Sequence, residues 1–89
     1  MKHILKTDPE VFNDVYYGRK NFEIRKNDRN FEVGDLLLLR QTVHTGKEMR
    51  EGLPLEYTGW ELRARVKYIL SGPIYGLMDG WVIMSIEKL

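Results

Sequence analysis

The 89-residue sequence contains no cysteine, which excludes a disulfide framework and any zinc site built on thiolates. Its two histidines, His3 and His44, lie far apart and lack the H-x-x-x-H spacing of a metal site, so we expect both at the surface or at a sheet edge. No apolar stretch approaches the roughly 20 residues of a membrane span, and the N-terminal residues lack a signal-peptide pattern. These absences predict a cytoplasmic protein with no membrane partner, metal or cofactor, stabilised by packing.

The sequence also lacks an excess of positive or negative residues. The chain has 14 Lys and Arg residues against 13 Asp and Glu residues, a formal net charge of +1, so its composition does not indicate nucleic-acid binding and only the position of the charges can. Apolar residues make up 43% and charged residues 30%, which is typical of a globular chain. The length predicts one domain over residues 1–89, and nothing in the pattern indicates an oligomeric state.

The first third of the chain predicts a strand, a helix and a second strand. Residues 3–6 form a short strand, and the helix begins at Asp8, or at Thr7 through a capping box with Glu10, and ends at Gly18. Its apolar face consists of Val11, Phe12, Val15 and Tyr16. Residues 21–25 then alternate with period two, which predicts a strand with Phe22 and Ile24 in the core and a polar opposite face.

The rest of the chain predicts three more strands. Residues 36–39 are four leucines, which favours a strand buried on both faces. Residues 61–69 alternate, with the inward set predicted as Leu62, Ala64, Val66 and Tyr68, and residues 81–87 form a closing strand. The long connection over residues 44–59 indicates a binding loop or a lid. The sum is a small α+β protein, a mostly antiparallel barrel of about five strands with one principal helix.

The sequence resembles a known family, most clearly in the segment from Gly18 to Arg25. Gly18-x-Lys20-x-x-Glu23-x-Arg25 is similar to the G-x-K-x-x-E-x-R signature of ASCH domains, which belong to the PUA-like superfamily of small β-barrels. Val33-Gly34-Asp35 resembles the V-G-D turn of that family, and the residues from Gly76 to Trp81 resemble its closing strand. The resemblance covers nearly the whole chain and is strongest to a compact bacterial and phage subgroup without an assigned function.

The resemblance implies a cleft between the helix and the barrel, lined by the signature residues and proposed to bind RNA. Some ASCH proteins are instead amidohydrolases that deacetylate acetylcytidine nucleosides with the signature lysine, a threonine nucleophile and a distant acid. Here the lysine matches as Lys20, but Glu23 stands where the threonine would be.

The residues themselves also indicate a recognition site. Positions 18–29 contain five basic residues, Arg19, Lys20, Arg25, Lys26 and Arg29, and two acidic ones, Glu23 and Asp28. The segment therefore has a local charge of +3, which would attract phosphate groups. Arg63, Arg65 and Lys67 form a second basic stripe on a predicted strand, which extends the first basic segment if the two adjoin. Three aromatic residues beside loop glycines are candidates for stacking on a base: Tyr57, Tyr75 and Trp81.

Several interpretations remain open at this point. The favoured one is a small module that binds RNA or a modified nucleotide, in which Glu23 accepts hydrogen bonds from a base edge or holds Lys20 and Arg25 in place. The second is an amidohydrolase acting on acylated nucleosides, with Lys20 and Glu23 as the catalytic candidates. The third is a protein-interaction domain that uses the barrel edge. The charged residues can also be a purely structural ion-pair network.

Overall fold

The computed structural model describes all 89 residues and has a small α+β fold, in which a five-stranded mixed sheet forms a half-barrel accompanied by two short helices. In chain order the elements are β1 (Lys2–Thr7), α1 (Pro9–Tyr16), β2 (Phe22–Lys26), β3 (Leu36–Thr42), α2 (Gly46–Arg50), β4 (Tyr57–Ser71) and β5 (Trp81–Lys88). The predicted fold class is confirmed. Neither helix has the length and apolar character needed to span a bilayer.

The strand order in the sheet is β1-β3-β4-β5-β2. Strands β1 and β3 are parallel and the other three pairs are antiparallel, as a mostly antiparallel barrel requires. Strands β1 and β2 are the two edges of the sheet, so the half-barrel has one open seam, and the site described below lies at that seam.

The core lies between the inner face of the sheet and α1. It consists of 12 buried apolar side chains: Leu5, Phe12, Val15, Phe31, Leu37, Leu39, Leu62, Ala64, Val66, Val82, Met84 and Ile86. At about 25 cal/mol per Å² of buried apolar area, such a cluster is the main source of stability in a chain without covalent cross-links.

Helix α1 begins where the sequence predicts, with Asp8 as the N-cap residue and Pro9 in the first turn. The predicted capping box between Thr7 and Glu10 is wrong. Thr7 belongs to β1, and its hydroxyl donates to the Leu5 carbonyl, while the Asp8 carboxylate accepts from the backbone N–H of Gly46 at 3.0 Å. The cap residue therefore ties α1 to α2 instead of closing its own first turn.

Residues 44–59 are not the structureless connection that their composition suggests. They contain α2, which begins with a complete capping box between Thr45 and Glu48, and the first residues of β4. The Thr45 hydroxyl accepts from the Glu48 N–H at 3.1 Å, and the Glu48 carboxylate accepts from the Thr45 N–H at 2.9 Å, which lowers the pKa of Glu48.

Strand β3 is buried on one face only, so the prediction of two buried faces is wrong. Leu37 and Leu39 are fully buried, whereas Leu36 and Leu38 are half-buried on the outer face. Their partners across the antiparallel pair are Arg65 and Arg63, and the aliphatic stems of such side chains cover neighbouring apolar surface while the charge stays in water.

Strand β4 departs from its predicted alternation near its end. Leu62, Ala64 and Val66 are buried as predicted, but Tyr68 is 62% exposed. The register shifts between Val66 and Tyr68, which marks a β-bulge, and after it Ile69 packs against the core. Strict alternation therefore assigns Tyr68 to the wrong face.

His3 lies on the edge strand β1, which is one of its two predicted places, but its side chain is buried and not at the surface. Its Nε2 lies 2.8 Å from Asp35 Oδ2, and the same carboxylate accepts from the Glu32 N–H and from the Met1 amine, both at 2.9 Å. Burial opposes ionisation of Asp35, but these hydrogen bonds outweigh it and lower its pKa to about 2. The Val33-Gly34-Asp35 turn is thereby fixed to β1. His44, the other histidine, is half-buried.

Candidate functional site

The open seam between β1 and β2 is bridged by two arginine side chains. Arg25 Nη2 donates to the Lys6 carbonyl at 3.0 Å, and Arg29 Nη1 donates to the Ile4 carbonyl at 2.8 Å. Alternate carbonyls of β1 point away from β3, so these two have no strand partner. The guanidinium groups thus satisfy the free edge of β1 and set the width of the seam.

The polar face of β2 points inward, towards the seam. Glu23 lies directly opposite the fully buried Met84 and is itself only 2% exposed. Phe22 and Ile24, predicted to be in the core, are 45% and 48% exposed, so that prediction and the expectation of a buried Phe22 are wrong. The alternation of β2 was predicted correctly, but the prediction of which face points inward was wrong.

Glu23 is held between two cations. Lys20 Nζ donates to Glu23 Oε1 at 3.0 Å, and Arg25 Nε donates to Glu23 Oε2 at 3.1 Å. Lys20 also donates to the Phe22 carbonyl. The turn after α1 delivers Lys20 to this point, because Gly18 adopts a left-handed φ of 77° and the Lys20 N–H donates to the Asp14 carbonyl at 3.0 Å.

These residues line an open cleft of about 510 Å³ between α1 and the two edge strands, which we call the seam cleft. Five basic and three acidic side chains surround it, together with one tryptophan from the start of β5; the full lining is Leu5, Lys6, Asp8, Val11, Lys20, Glu23, Ile24, Arg25, Lys26, Asp28, Arg29, Phe31 and Trp81. The volume is in the range of pockets that hold small organic ligands.

Most of the predicted site residues meet in the seam cleft: Lys20, Glu23, Arg25, Lys26 and Arg29 all line it. Arg19 does not, because it pairs with Asp14 at 2.9 Å and lies over the ring of Tyr17.

The second basic stripe is also outside the cleft. Arg63 and Arg65 are exposed on the outer face of β4, the middle strand of the sheet, two strands away from either edge. The stripe and the first basic segment therefore do not adjoin, and the stripe does not extend that segment.

Of the three aromatic candidates, Trp81 alone borders the seam cleft. Tyr57 packs under the guanidinium of Arg40 at 3.7 Å, and Tyr75 is almost fully exposed. No residue of the 44–59 segment lines the cleft, so its role as a binding loop or a lid stays a prediction.

Sequence reasoning missed Lys6 and Asp8, which also line the cleft. Lys6 occupies an ordinary exposed position of β1, and Asp8 has the signal of a helix cap, so neither pattern distinguishes a site residue. Only the pairing of β1 with β3 and the closing arginines place them beside β2.

Comparison with known proteins gives the family. A family model described as a domain of unknown function, DUF3850, matches residues 2–86. The chain belongs to this family. The DUF3850 chain is also 42% identical over 50 residues to an "Uncharacterized 12.9 kDa protein in GpA 3'region" of Escherichia phage P2. That alignment covers 53% of this chain and 46% of the phage protein, so the chain matches about half the length of this relative.

In the seam cleft of this DUF3850 chain, Arg25 and Lys20 have N–H groups that make no hydrogen bond within the protein. Arg25 uses its Nε–H and one Nη2–H within the protein, and a guanidinium has five N–H groups in all. Lys20 uses two of its three N–H groups, on Glu23 and the Phe22 carbonyl. The fixed cations can therefore donate to an anionic ligand without losing the bonds that position them.

Proposed function

We propose that the seam cleft binds single-stranded RNA or a nucleotide and that phosphate groups are its principal recognition element. The observation that carries this proposal is the convergence of five basic side chains on one cleft of a chain with a net charge of only +1. Attraction to phosphates depends on local charge, and the five basic and three acidic residues of the cleft give it a formal charge of +2, against +1 for the whole chain.

The arrangement of these cations supports recognition over a merely solvated face. Lys20 and Arg25 are held by buried Glu23, and Arg25 and Arg29 are held by carbonyls of β1. A preorganised guanidinium loses little side-chain entropy when it binds a phosphate, and its remaining N–H groups form paired, charge-assisted hydrogen bonds. Lys6 and Lys26 add charge at the borders of the cleft.

In this proposal Glu23 is a positioning residue. Both of its carboxylate oxygens already accept from cations, so its role is to orient Lys20 and Arg25 instead of reading a base edge. Trp81, half-buried at the wall of the cleft, supplies the ring on which a base stacks. The resemblance to ASCH domains, with their proposed RNA-binding cleft, agrees with this assignment.

The test is a salt series with a labelled oligonucleotide. Fluorescence anisotropy of a short single-stranded RNA measures affinity between low and moderate salt, and a plot of log K against log salt is expected to have a slope of about −2 to −3, from roughly −0.7 per phosphate. Absence of binding to RNA and DNA pools even at low salt would refute the proposal and leave the protein-interaction alternative.

A matched pair of variants localises the binding. Arg29→Gln removes a cleft cation but keeps a hydrogen-bonding side chain, and it is expected to weaken binding by about 10- to 100-fold, as loss of a charge-assisted bond of about 1.5–3 kcal/mol predicts. Arg63→Gln removes the same charge from the outer face of β4 and is expected to leave affinity nearly unchanged. Equal losses would indicate a diffuse charge effect and not a site.

The amidohydrolase alternative requires a separate measurement, because Lys20 and Glu23 share the same cleft. A panel of acylated nucleosides is incubated with the wild type and with Glu23→Gln, and turnover is measured beside affinity. We expect no turnover. Wild-type turnover that falls by on the order of 10²–10⁴ in Glu23→Gln at unchanged affinity would establish the enzyme instead.

A further inference from the structure

A second pocket, of about 340 Å³, lies across α1 from the seam cleft and shares no residue with it. Helix α1 contributes Val11 to the cleft and other residues to this pocket. We call it the aromatic pocket, because four of its six lining residues have aromatic rings, namely Phe12, Tyr16, Tyr17 and Trp60; the other two are Asn13 and Gln41. Nothing in the seam-cleft site accounts for it.

The polar floor of the aromatic pocket is ordered by Gln41, which is buried. Its Nε2 donates to the Pro9 carbonyl at 3.0 Å and to Asn13 Oδ1 at 3.2 Å, and its Oε1 accepts from the Thr58 hydroxyl at 2.9 Å. Asn13 is thereby oriented with its oxygen towards Gln41, and its amide N–H groups have no partner in the protein. A ligand that offers a carbonyl oxygen or a ring nitrogen complements them.

The rings of the pocket differ in how accessible their faces are. Lys88 lies over the Tyr16 ring at 4.8 Å, and Arg19 lies over the Tyr17 ring at 5.4 Å. Trp60 has no cation over it, is 62% exposed, and meets Tyr16 edge to face with 6.4 Å between centroids. The pocket therefore presents an exposed indole ring beside two cations, of which Arg19 also pairs with Asp14.

We propose that the aromatic pocket is a base-stacking subsite for single-stranded nucleic acid, which receives the nucleotide next to the one held in the seam cleft. This inference rests on the proposed function of the cleft. The ligand chemistry follows from an exposed indole for a planar ring, an oriented amide for the hydrogen-bonding edge of that ring, and two neighbouring cations for the phosphate. The neighbouring cations favour a polyanion over an apolar partner.

The two sites are close enough for one strand. Lys20 lines the seam cleft and Tyr17 lines the aromatic pocket, and three residues span at most about 11 Å between Cα atoms. Arg19 lies between them in the chain and over the Tyr17 ring. A strand that leaves the cleft past Arg19 therefore meets Tyr17, at the edge of the pocket that Trp60 also lines.

The two tryptophans of the chain report on the two sites separately. Trp81→Phe leaves Trp60 as the reporter of the aromatic pocket, and Trp60→Phe leaves Trp81 as the reporter of the seam cleft. Both are titrated with uridine 5′-monophosphate and with a uridylate hexamer. The hexamer is expected to quench both reporters at the same midpoint, whereas the monophosphate is expected to quench Trp81 alone.

Removal of the Trp60 ring tests how much stacking in the aromatic pocket contributes to hexamer affinity. Trp60→Ala is expected to weaken hexamer binding by about 5- to 150-fold, the range for the loss of one stacked base, with monophosphate affinity unchanged and with most of the affinity retained in Trp60→Phe. Tyr68→Ala is the matched control, because Tyr68 is also 62% exposed but lines neither pocket, and no change is expected.

The outcomes separate this inference from the function on which it rests. If Trp60→Ala behaves like Tyr68→Ala while Arg29→Gln weakens hexamer binding, the subsite is refuted and the seam cleft stands. If Trp60→Ala weakens the monophosphate equally, the pocket holds the same nucleotide, which refutes the two-nucleotide arrangement. If the wild type binds no hexamer, both proposals are wrong.

Discussion

Glu23→Gln is expected to destabilise the protein far more than removal of a surface carboxylate. The amide has the shape of the carboxylate but no charge, and it can accept from Lys20 or Arg25 but not from both, because its NH₂ group then faces the other cation. The substitution therefore leaves one nearly buried cation without its counter-ion.

The magnitude follows from the burial of the three side chains. Breaking a fully buried ion pair costs about 3–5 kcal/mol, but the side chains of Lys20 and Arg25 retain 16% and 25% exposure, so water recovers part of that cost. The loss is then about 2–3 kcal/mol, the range of a charge-assisted hydrogen bond. A chain of this length has a free energy of unfolding of about 4–13 kcal/mol, so the effect is large. The melting temperature is expected to fall by about 10–20 °C.

The assay is urea unfolding followed by tryptophan fluorescence, with Glu61→Gln as the control. Glu61 also pairs with an arginine, Arg40, at 2.9 Å, but its side chain is 43% exposed, so its loss is expected to cost less than about 1 kcal/mol. A cost for Glu23→Gln within about 0.5 kcal/mol of the control would refute the argument that burial makes the Glu23 network strong.

Three further predictions concern single substitutions at Asp35, Gly72 and Gly46. The pKa of Asp35 is lowered to about 2, below its unfolded value near 3.8, so its contribution to stability is present above about pH 4 and is lost as the pH falls towards 2; urea unfolding between pH 2 and 6 is expected to show a flatter curve in this window for Asp35→Asn. In Gly72→Ala the added Cβ would lie 2.0 Å from the Met78 carbonyl oxygen, so the backbone must move, at a cost of about 1–3 kcal/mol. Gly46→Ala, in α2 and without such a clash, is expected to be neutral or stabilising by about 0.4–1 kcal/mol in the same unfolding assay.

In β2 the sequence predicted the period of the strand correctly but not its orientation. Alternation over residues 21–25 correctly indicated β2, yet the rule that apolar residues face inward placed Phe22 and Ile24 on the wrong side. The rule fails because β2 is an edge strand whose inner face borders an open seam, where polar side chains must satisfy the free carbonyls of β1. Which strand forms an edge is a property of the whole sheet and not of a five-residue window.

The part of the candidate site formed by residues close together in sequence was predictable. Lys20, Glu23 and Arg25 lie within six residues, and their spacing indicated an ion-pair network that the structure contains. The backbone partner of that network is distant in sequence, because Arg25 donates to the Lys6 carbonyl 19 residues away. The buried contact of His3 with Asp35 spans 32 residues for the same reason, so no local pattern indicates it.

The bridging of β1 by Arg25 and Arg29 also bears on how copies of the chain behave towards one another. An exposed strand edge with unpaired carbonyls is a template on which a strand of a second molecule adds, and that is a common route to aggregation. Here the Ile4 and Lys6 carbonyls already accept from guanidinium groups, whose charge further disfavours an incoming strand. The half-barrel can thus keep its seam open while these two carbonyls are unavailable to a second molecule, and the two arginines that occupy them are among the five basic residues of the cleft.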